Sequence, residues 1–259
     1  MSRRAIFTIV QNETYFLEIW LRYYKKYYKN DEIYILNHNT QDEEAKELLE
    51  DAKDTGINVI NINNIESYNH IWLRDTVQIF QSFLLNSHRC VTFAEVDEIL
   101  VLDKEIIGHA DLAKYSDETV GRRRAIGYNI IQRQDDLHDV TFECDPFMYQ
   151  FKYWTKETSY DKTLIATEPI SWDLGFHQTT YNVQPPHSSG LLLIHLHKMS
   201  YNLCRARHER QSLRNWSKSD MIAKRGYQNR IFKEPEFFNW YYKISSLIEQ
   251  MPKHIRSSF

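Results

Sequence analysis

Glycine is scarce in this sequence, with seven in 259 residues. None falls in a G-x-G-x-x-G or Walker A pattern, so any nucleotide has to be held without a glycine-rich cradle. Cysteine is scarcer still: Cys90, Cys144 and Cys204 are odd in number, widely spaced and outside C-x-x-C or His-paired patterns. That spacing speaks against a disulfide framework and against a zinc site, and it fits a reducing compartment. Long apolar runs are missing too. The stretch after Arg3 and Arg4 stops within a few residues, too short for a signal-peptide core, and no later stretch approaches the length of a membrane span. The expectation is a cytoplasmic protein.

What is present is the composition of a soluble globular chain, 42% hydrophobic and 26% charged, long enough for one large domain. Aromatic residues reach 14%, which suggests ring-lined clefts. The net charge of -3 hides an asymmetry: positions 198 to 233 hold ten Lys/Arg against Glu209 and Asp220. Such a segment attracts phosphates, anionic lipid or an acidic glycan, or else forms a solvated helix face.

"AIFTIV" (5–10), "EIYIL" (32–36), "INVINI" (57–62) and "CVTFAEV" (90–96) read as buried strands. Between them, "TYFLEIWLRYYKKYY", "NHNTQDEEAKELLEDAKD" and "IWLRDTVQIFQSFLLN" repeat apolar residues at helical spacing, with Thr40 and Glu43 at capping-box separation. Strand-helix pairs in this order predict a parallel, doubly wound α/β sheet. From about 119 onward, short aromatic-rich runs such as "AIGYNII", "FMYQFKYW", "TLIATEPISW" and "SGLLLIHLH" predict an antiparallel extension. From about 200 the chain reads as helical and basic, closing on "FFNWYYKISSLIEQM". One domain over 1–259 is expected, in three stretches: 1–105, 106–200 and a basic helical tail at 201–259.

In doubly wound sheets ligands bind beyond the carboxyl ends of the strands. The residues there are polar: Gln11, Asn12 and Glu13, then Asn37, His38 and Asn39, then Asn63 and Asn64, and finally Glu95, Asp97 and Glu98. Within "CVTFAEVDEILVLD", strand alternation puts Glu95 and Asp97 on one face and Val96 and Glu98 on the other. Two carboxylates at that spacing repel unless a positive charge lies between them. A divalent cation, Mg2+ or Mn2+, meets that need with oxygen ligands, and arginines such as Arg122 to Arg124 are the alternative partners.

The segments "QNETYFLEIWLRYY", "NHNTQDE" and "FAEVDEILV", each following a strand, resemble the GT-A nucleotide-sugar glycosyltransferases, particularly the family 2-like and family 92-like groups. "SWDLGFH" and "LLLIHLHKMS" resemble segments late in such domains. The sequence departs from the family pattern where Glu95 replaces the first Asp of D-x-D and Ile99 replaces Phe. The resemblance implies a GT-A fold and transfer of a sugar from a nucleoside diphosphate, UDP being the commonest, to a hydroxyl of a glycan or glycoconjugate, with inversion. It implies metal ligation by Glu95, Asp97 and His197, with His195 in support. Donor contacts would come from Gln11, Asn12, Glu13, Asn37, Asn39, Arg74, Asp75, Glu95, Val96, Lys162 and His177. An inverting transfer needs a general base, for which Asp173, beside Trp172 as a stacking ring, is favoured over Asp161 and Glu168.

A metal-dependent phosphohydrolase would also use paired carboxylates and histidines, but needs more Asp/His at strand ends than are found. A non-catalytic protein would engage RNA or a membrane through the basic tail and "FFNWYY". The scattered arginines match no nucleic-acid module, whereas peripheral membrane contact through the C-terminal region suits them.

Overall fold

The structure, a computed structural model, describes residues 4–63, 67–108, 111–136, 138–142, 144, 146–181, 183–244 and 246–258. Asn64 lies outside these. The first half alternates strand and helix as expected: β1 (Arg4–Val10), α1 (Tyr15–Tyr24), β2 (Ile33–His38), α2 (Glu43–Asp54), β3 (Asn58–Ile62), α3 (His70–Leu84) and β4 (Cys90–Phe93). β1 pairs in parallel with β2 on one side and β4 on the other, and β2 pairs in parallel with β3. Spatial order is therefore β3-β2-β1-β4. Phe16, Leu17, Trp20, Leu21 and Tyr24 of α1 are all buried, which is the stripe their spacing requires.

The chain continues through β5 (Glu98–Leu102), the short helices α4 (Lys104–Ile107) and α5 (Leu112–Glu118), then β6 (Arg122–Ile131), β7 (Tyr153–Lys156), β8 (Thr163–Ala166) and β9 (His187–His195). It closes with α6 (Tyr201–Ser212), α7 (Lys218–Ile222), α8 (Glu236–Tyr241), β10 (Ile248–Gln250) and α9 (Lys253–Arg256). β8, β6, β7 and β10 extend the sheet antiparallel from β4, and β5 and β9 bring it to ten strands among the described residues. β5 turns back against β9, which also runs parallel to β6, so the extension is mixed rather than purely antiparallel. The whole is the single mixed α/β sheet, parallel first and antiparallel later, that the GT-A resemblance implies.

Four local expectations are corrected. α2 is capped by Asp42, whose side chain accepts from Ala45 N–H, and not by Thr40, whose hydroxyl instead accepts from Asn12 N–H (3.2 Å). "FMYQ" is a 3-10 turn, closed by Tyr149 N–H donating to the Pro146 carbonyl (3.0 Å) and Phe151 N–H to the Met148 carbonyl (3.1 Å), with the Gln150 side-chain amide donating to the Phe147 carbonyl (2.9 Å). The closing apolar run is not continuous helix: Ile248–Gln250 pairs with the free edge of β7. Finally, the fourth strand stops at Phe93, and the acids occupy a tight turn in which Glu95 N–H donates to Glu98 Oε2 (3.0 Å) and Glu98 N–H to the Glu95 carbonyl (2.9 Å).

One glycine sets the floor of the site. A Cβ on Gly127 of β6 would lie 2.5 Å from the backbone of Tyr160, whose ring stacks on His195 (4.2 Å between centroids). Gly127→Ala is expected to cost about 1–3 kcal/mol through overpacking. Urea unfolding would measure it, and an unchanged midpoint would refute the close approach.

Candidate functional site

The C-terminal ends of β1, β2 and β4 open into a cleft of about 180 Å3. Gln11, Glu13, His38, Glu95, Val96 and Asp97 line it from the strand side, His177, His195 and His197 from the extension, and Arg207 and Arg214 from α6 and just beyond. A wider recess of about 560 Å3 adjoins it through Gln11, His38, Tyr68 and Arg214, and adds Asn12, Asn39 and Arg210.

The acids are compensated by the chain's own cations. Lys162, 1% exposed, contacts Glu95 and lies 2.6 Å from Glu98 Oε1. Burial opposes the Lys162 charge, but the two glutamates outweigh it and hold its ammonium well above the usual range. Glu98 goes up, because full burial outweighs the lysine. Arg207 bridges Glu13 (Nε to Oε1, 2.8 Å) and Asp97, and lies over the Phe16 ring at 4.5 Å. Asp97 Oδ2 is also 3.3 Å from His195 Nε2 and from His197 Nδ1. Burial disfavours the Asp97 charge, yet Arg207 and the two histidines hold its carboxyl well below the carboxylate range. Strand alternation therefore gives the wrong partners. Because the chain turns at 94–97, Glu95 shares a lysine with Glu98, and Asp97 faces a different cation.

Arg214 differs from these. Its guanidinium donates to the Gln11 carbonyl (3.3 Å) and lies 4.7 Å from the Tyr68 ring centre. Among the described residues no carboxylate pairs with it, and burial draws its pKa down. Two of the ten basic residues of the C-terminal segment thus face the cleft, so that segment is not simply a solvated face. Burial also draws the His38 and His177 imidazoles down to about 4, so both are neutral near pH 7.

Several expected contacts lie elsewhere. Asn37 faces away from both cavities and bonds Asn61 (2.9 Å), since β2 runs on through His38 and alternation sends the neighbour, not Asn37, into the cleft. Asn12 does line the wider recess, but it takes a left-handed backbone (φ 56°) and its side-chain oxygen is engaged, accepting from Gln41 N–H (2.7 Å) and Asp42 N–H (3.1 Å) and clasping two strand-end loops together. Arg74 and Asp75 pair with each other on α3 (2.7 Å) and line neither cavity. Asp173 is exposed, its carboxylate accepting from Leu174 N–H (2.7 Å). The left-handed Gly175 and Phe176 turn His177 into the cleft and leave Asp173 outside it. Trp172 is buried, donating to the Thr163 carbonyl (2.9 Å), and offers no stacking platform. Asp161 is spent on Gly127 N–H and His187, and Glu168 pairs with Arg122.

Sequence reasoning gave no role to Arg207, Arg214, His208 or Tyr160 individually. A signal existed for the first three: Arg207, His208, Gln211 and Arg214 recur at one-turn spacing within the basic segment.

No family model matches the chain, and no curated protein matches it in sequence. Among solved structures it is similar to S. aureus TarS 1–349, at 12% identity and a TM-score of 0.38, covering 94% of this chain and 72% of that one. It is also similar to a Bacillus anthracis protein assigned as a glucose-1-phosphate thymidylyltransferase and solved with sucrose, at 8% identity and a TM-score of 0.35, covering 95% and 89%. At these scores neither likeness bears on chemistry. Among the described residues no helix is long and apolar enough to cross a membrane.

Proposed function

We propose that this chain is a glycosyltransferase using a nucleoside-diphosphate sugar. The observation that carries the reading is Arg214, a cation that pairs with no carboxylate among the described residues and stands where the cleft and its neighbouring recess meet. The base and ribose would occupy the wider recess, against Gln11 and Asn39. The diphosphate would lie across Arg214, which binds it by charge-assisted hydrogen bonds. The sugar would project into the narrower cleft, toward Glu95, His177 and Tyr160, with an acceptor hydroxyl entering beside it.

The donor set for a divalent cation is present in part. Asp97, His195 and His197 have ligand atoms within 4.8 Å of one another, while Glu95 is held by Lys162. When bound there, such an ion would neutralise charge on the leaving diphosphate. One observation favours transfer without a metal: Arg207 already occupies Asp97, so the guanidinium could serve the leaving group in its place. Asp173 is too exposed for the general base, and Glu95, partly open to the cleft, takes that part in this reading.

Thermal-shift titration with UDP-, GDP- and dTDP-sugars, each with and without Mn2+, tests the proposal, since a ligand that binds only the folded chain raises its Tm. One donor is expected to stabilise the protein. Arg214→Ala is expected to weaken that donor about 10- to 100-fold, the worth of one charge-assisted contact. If no nucleotide sugar shifts the melt, the reading fails. A shift that needs no Mn2+ selects the metal-free form.

A further inference from the structure

Behind His197, on the side away from Asp97, Cys204 and His208, which donor binding does not use, converge on its imidazole. Cys204 and His208 stand one turn apart on α6, so both project from one helix face, and that face meets the end of β9 beside His197. His197 Nε2 lies 2.7 Å from His208 Nε2, and Cys204 Sγ lies 3.8 Å from the same nitrogen. The three potential ligand atoms all fall within 4.8 Å of one another. Cys204 and His208 are fully buried and His197 is 8% exposed.

The outer nitrogen fixes the tautomer of His208 and leaves two for His197. His208 Nδ1 donates to the Ile231 carbonyl (2.8 Å), which can only accept, so its Nε2 carries a lone pair. His197 Nδ1 faces Asp97 Oδ2. With its proton on that side, its Nε2 carries a lone pair as well, and two lone pairs then oppose each other next to a sulfur. A carboxylate behind one imidazole and a carbonyl behind the other is how metal-ligating histidines are commonly oriented. Trp240 and Phe237 pack over His208, with centroids at 4.6 and 5.4 Å, and shield the cluster.

We infer that His197 Nε2, Cys204 Sγ and His208 Nε2 bind a soft divalent cation, zinc. Tetrahedral zinc, with Zn–N of about 2.0–2.1 Å and Zn–S of about 2.3 Å, separates its nitrogens by about 3.3 Å and nitrogen from sulfur by about 3.6 Å. The sulfur is already at that separation from His208, and the two rings need to part by roughly half an ångström. On binding, Cys204 releases its thiol proton to solvent and ligates as thiolate. One thiolate with two imidazoles selects zinc over Mg2+ or Mn2+, so the site differs in kind from the oxygen-rich cleft. It shares His197 with the cleft but does not depend on which donor the cleft takes. Its role is to pin α6, and with it Arg207, against the strand end, while His197 keeps Nδ1–H to orient Asp97. The sequence reading against zinc is corrected on two counts: Cys204 and His208 are paired four residues apart on α6, and the third ligand comes from a different element.

A metal-free arrangement competes with this. Arg207 Nη1 lies 3.1 Å from His197 Nδ1, and if it donates there, His197 donates from Nε2 to His208 and no ion is needed. The full chain, produced in cobalt-supplemented medium in place of zinc, decides between them. One cobalt per chain is expected, with a thiolate-to-cobalt charge-transfer band in the near ultraviolet. That band is expected to vanish in Cys204→Ser and to persist in Cys90→Ser and Cys144→Ser, with circular dichroism reporting the fold of each. His208→Gln, which can still donate to Ile231, is a second variant expected to lose the band. Natively folded wild-type protein that binds no cobalt overturns the inference, as does a thiolate band that survives Cys204→Ser. So does bound cobalt that lacks the band and is lost in Asp97→Asn, which would place the ion in the cleft.

Discussion

Arg207→Met is expected to destabilise the fold by about 3–5 kcal/mol, because it leaves the carboxylates of Glu13 and Asp97 buried without their cation. Those two groups are 4% and 5% exposed and cannot recover hydration by a small movement. The loss is a large fraction of the roughly 5–15 kcal/mol that holds an ordinary domain together. Arg207→Lys retains the charge but not the fork that reaches Glu13 through Nε and Asp97 through Nη1, so an intermediate loss is expected. The diagnostic variant is the triple one, Arg207→Met with Glu13→Gln and Asp97→Asn. Removing the charges together is expected to restore much of the stability, since an uncompensated charge and not the lost attraction carries most of the penalty. Equilibrium denaturation of the three proteins measures this. A single Arg207→Met variant as stable as wild type would show that the carboxylates are not held as described.

Acid is expected to unfold this protein early. Burial lowers His38, His177 and His208 to about 4, against about 6.5 in an unfolded chain. Between those values the unfolded chain takes up protons that the folded one refuses, so stability is fully present above about pH 6.5 and falls as pH drops toward 4. Each such histidine removes up to about 1.4 kcal/mol per pH unit, and the three together amount to several kcal/mol by pH 4.5. Asp97 works in the same direction at lower pH, its depressed carboxyl losing stability as it is finally protonated. Glu98, whose carboxyl is raised, opposes them as a single group. Urea midpoints at several pH values, taken with a chelator so that no ion masks His208, provide the measurement. A midpoint that stays level from pH 7 to pH 5 would contradict neutral buried imidazoles. His177→Asn should flatten the slope by about one proton.

Much of the architecture was legible because periodicity reports burial. The i, i+3, i+4 pattern around Trp20 and the apolar runs at 5–10 and 90–93 identify elements whose environment is set by local spacing. The site was legible only in outline. The rule that ligands sit beyond parallel strand ends pointed to Gln11, Glu13, His38, Glu95 and Asp97, all of which line the cleft. It erred by one residue at Asn37, because the end of β2 extends through His38, and it could not foresee that Asp173 is turned out by the left-handed residues that follow.

Taken alone, the sequence determined that a parallel α/β half would precede an extension of short, largely antiparallel strands and that acids would gather at the end of the fourth strand. Both follow from short-range alternation of side chains, which neighbouring residues impose on one another. Only the tertiary structure decided what those acids face. Lys162 lies 67 positions from Glu95, and Arg207 lies 110 from Asp97 and 194 from Glu13. Electrostatic pairing depends on separation in space, and no local pattern encodes a contact that exists only after the sheet has brought α6 over the ends of its strands.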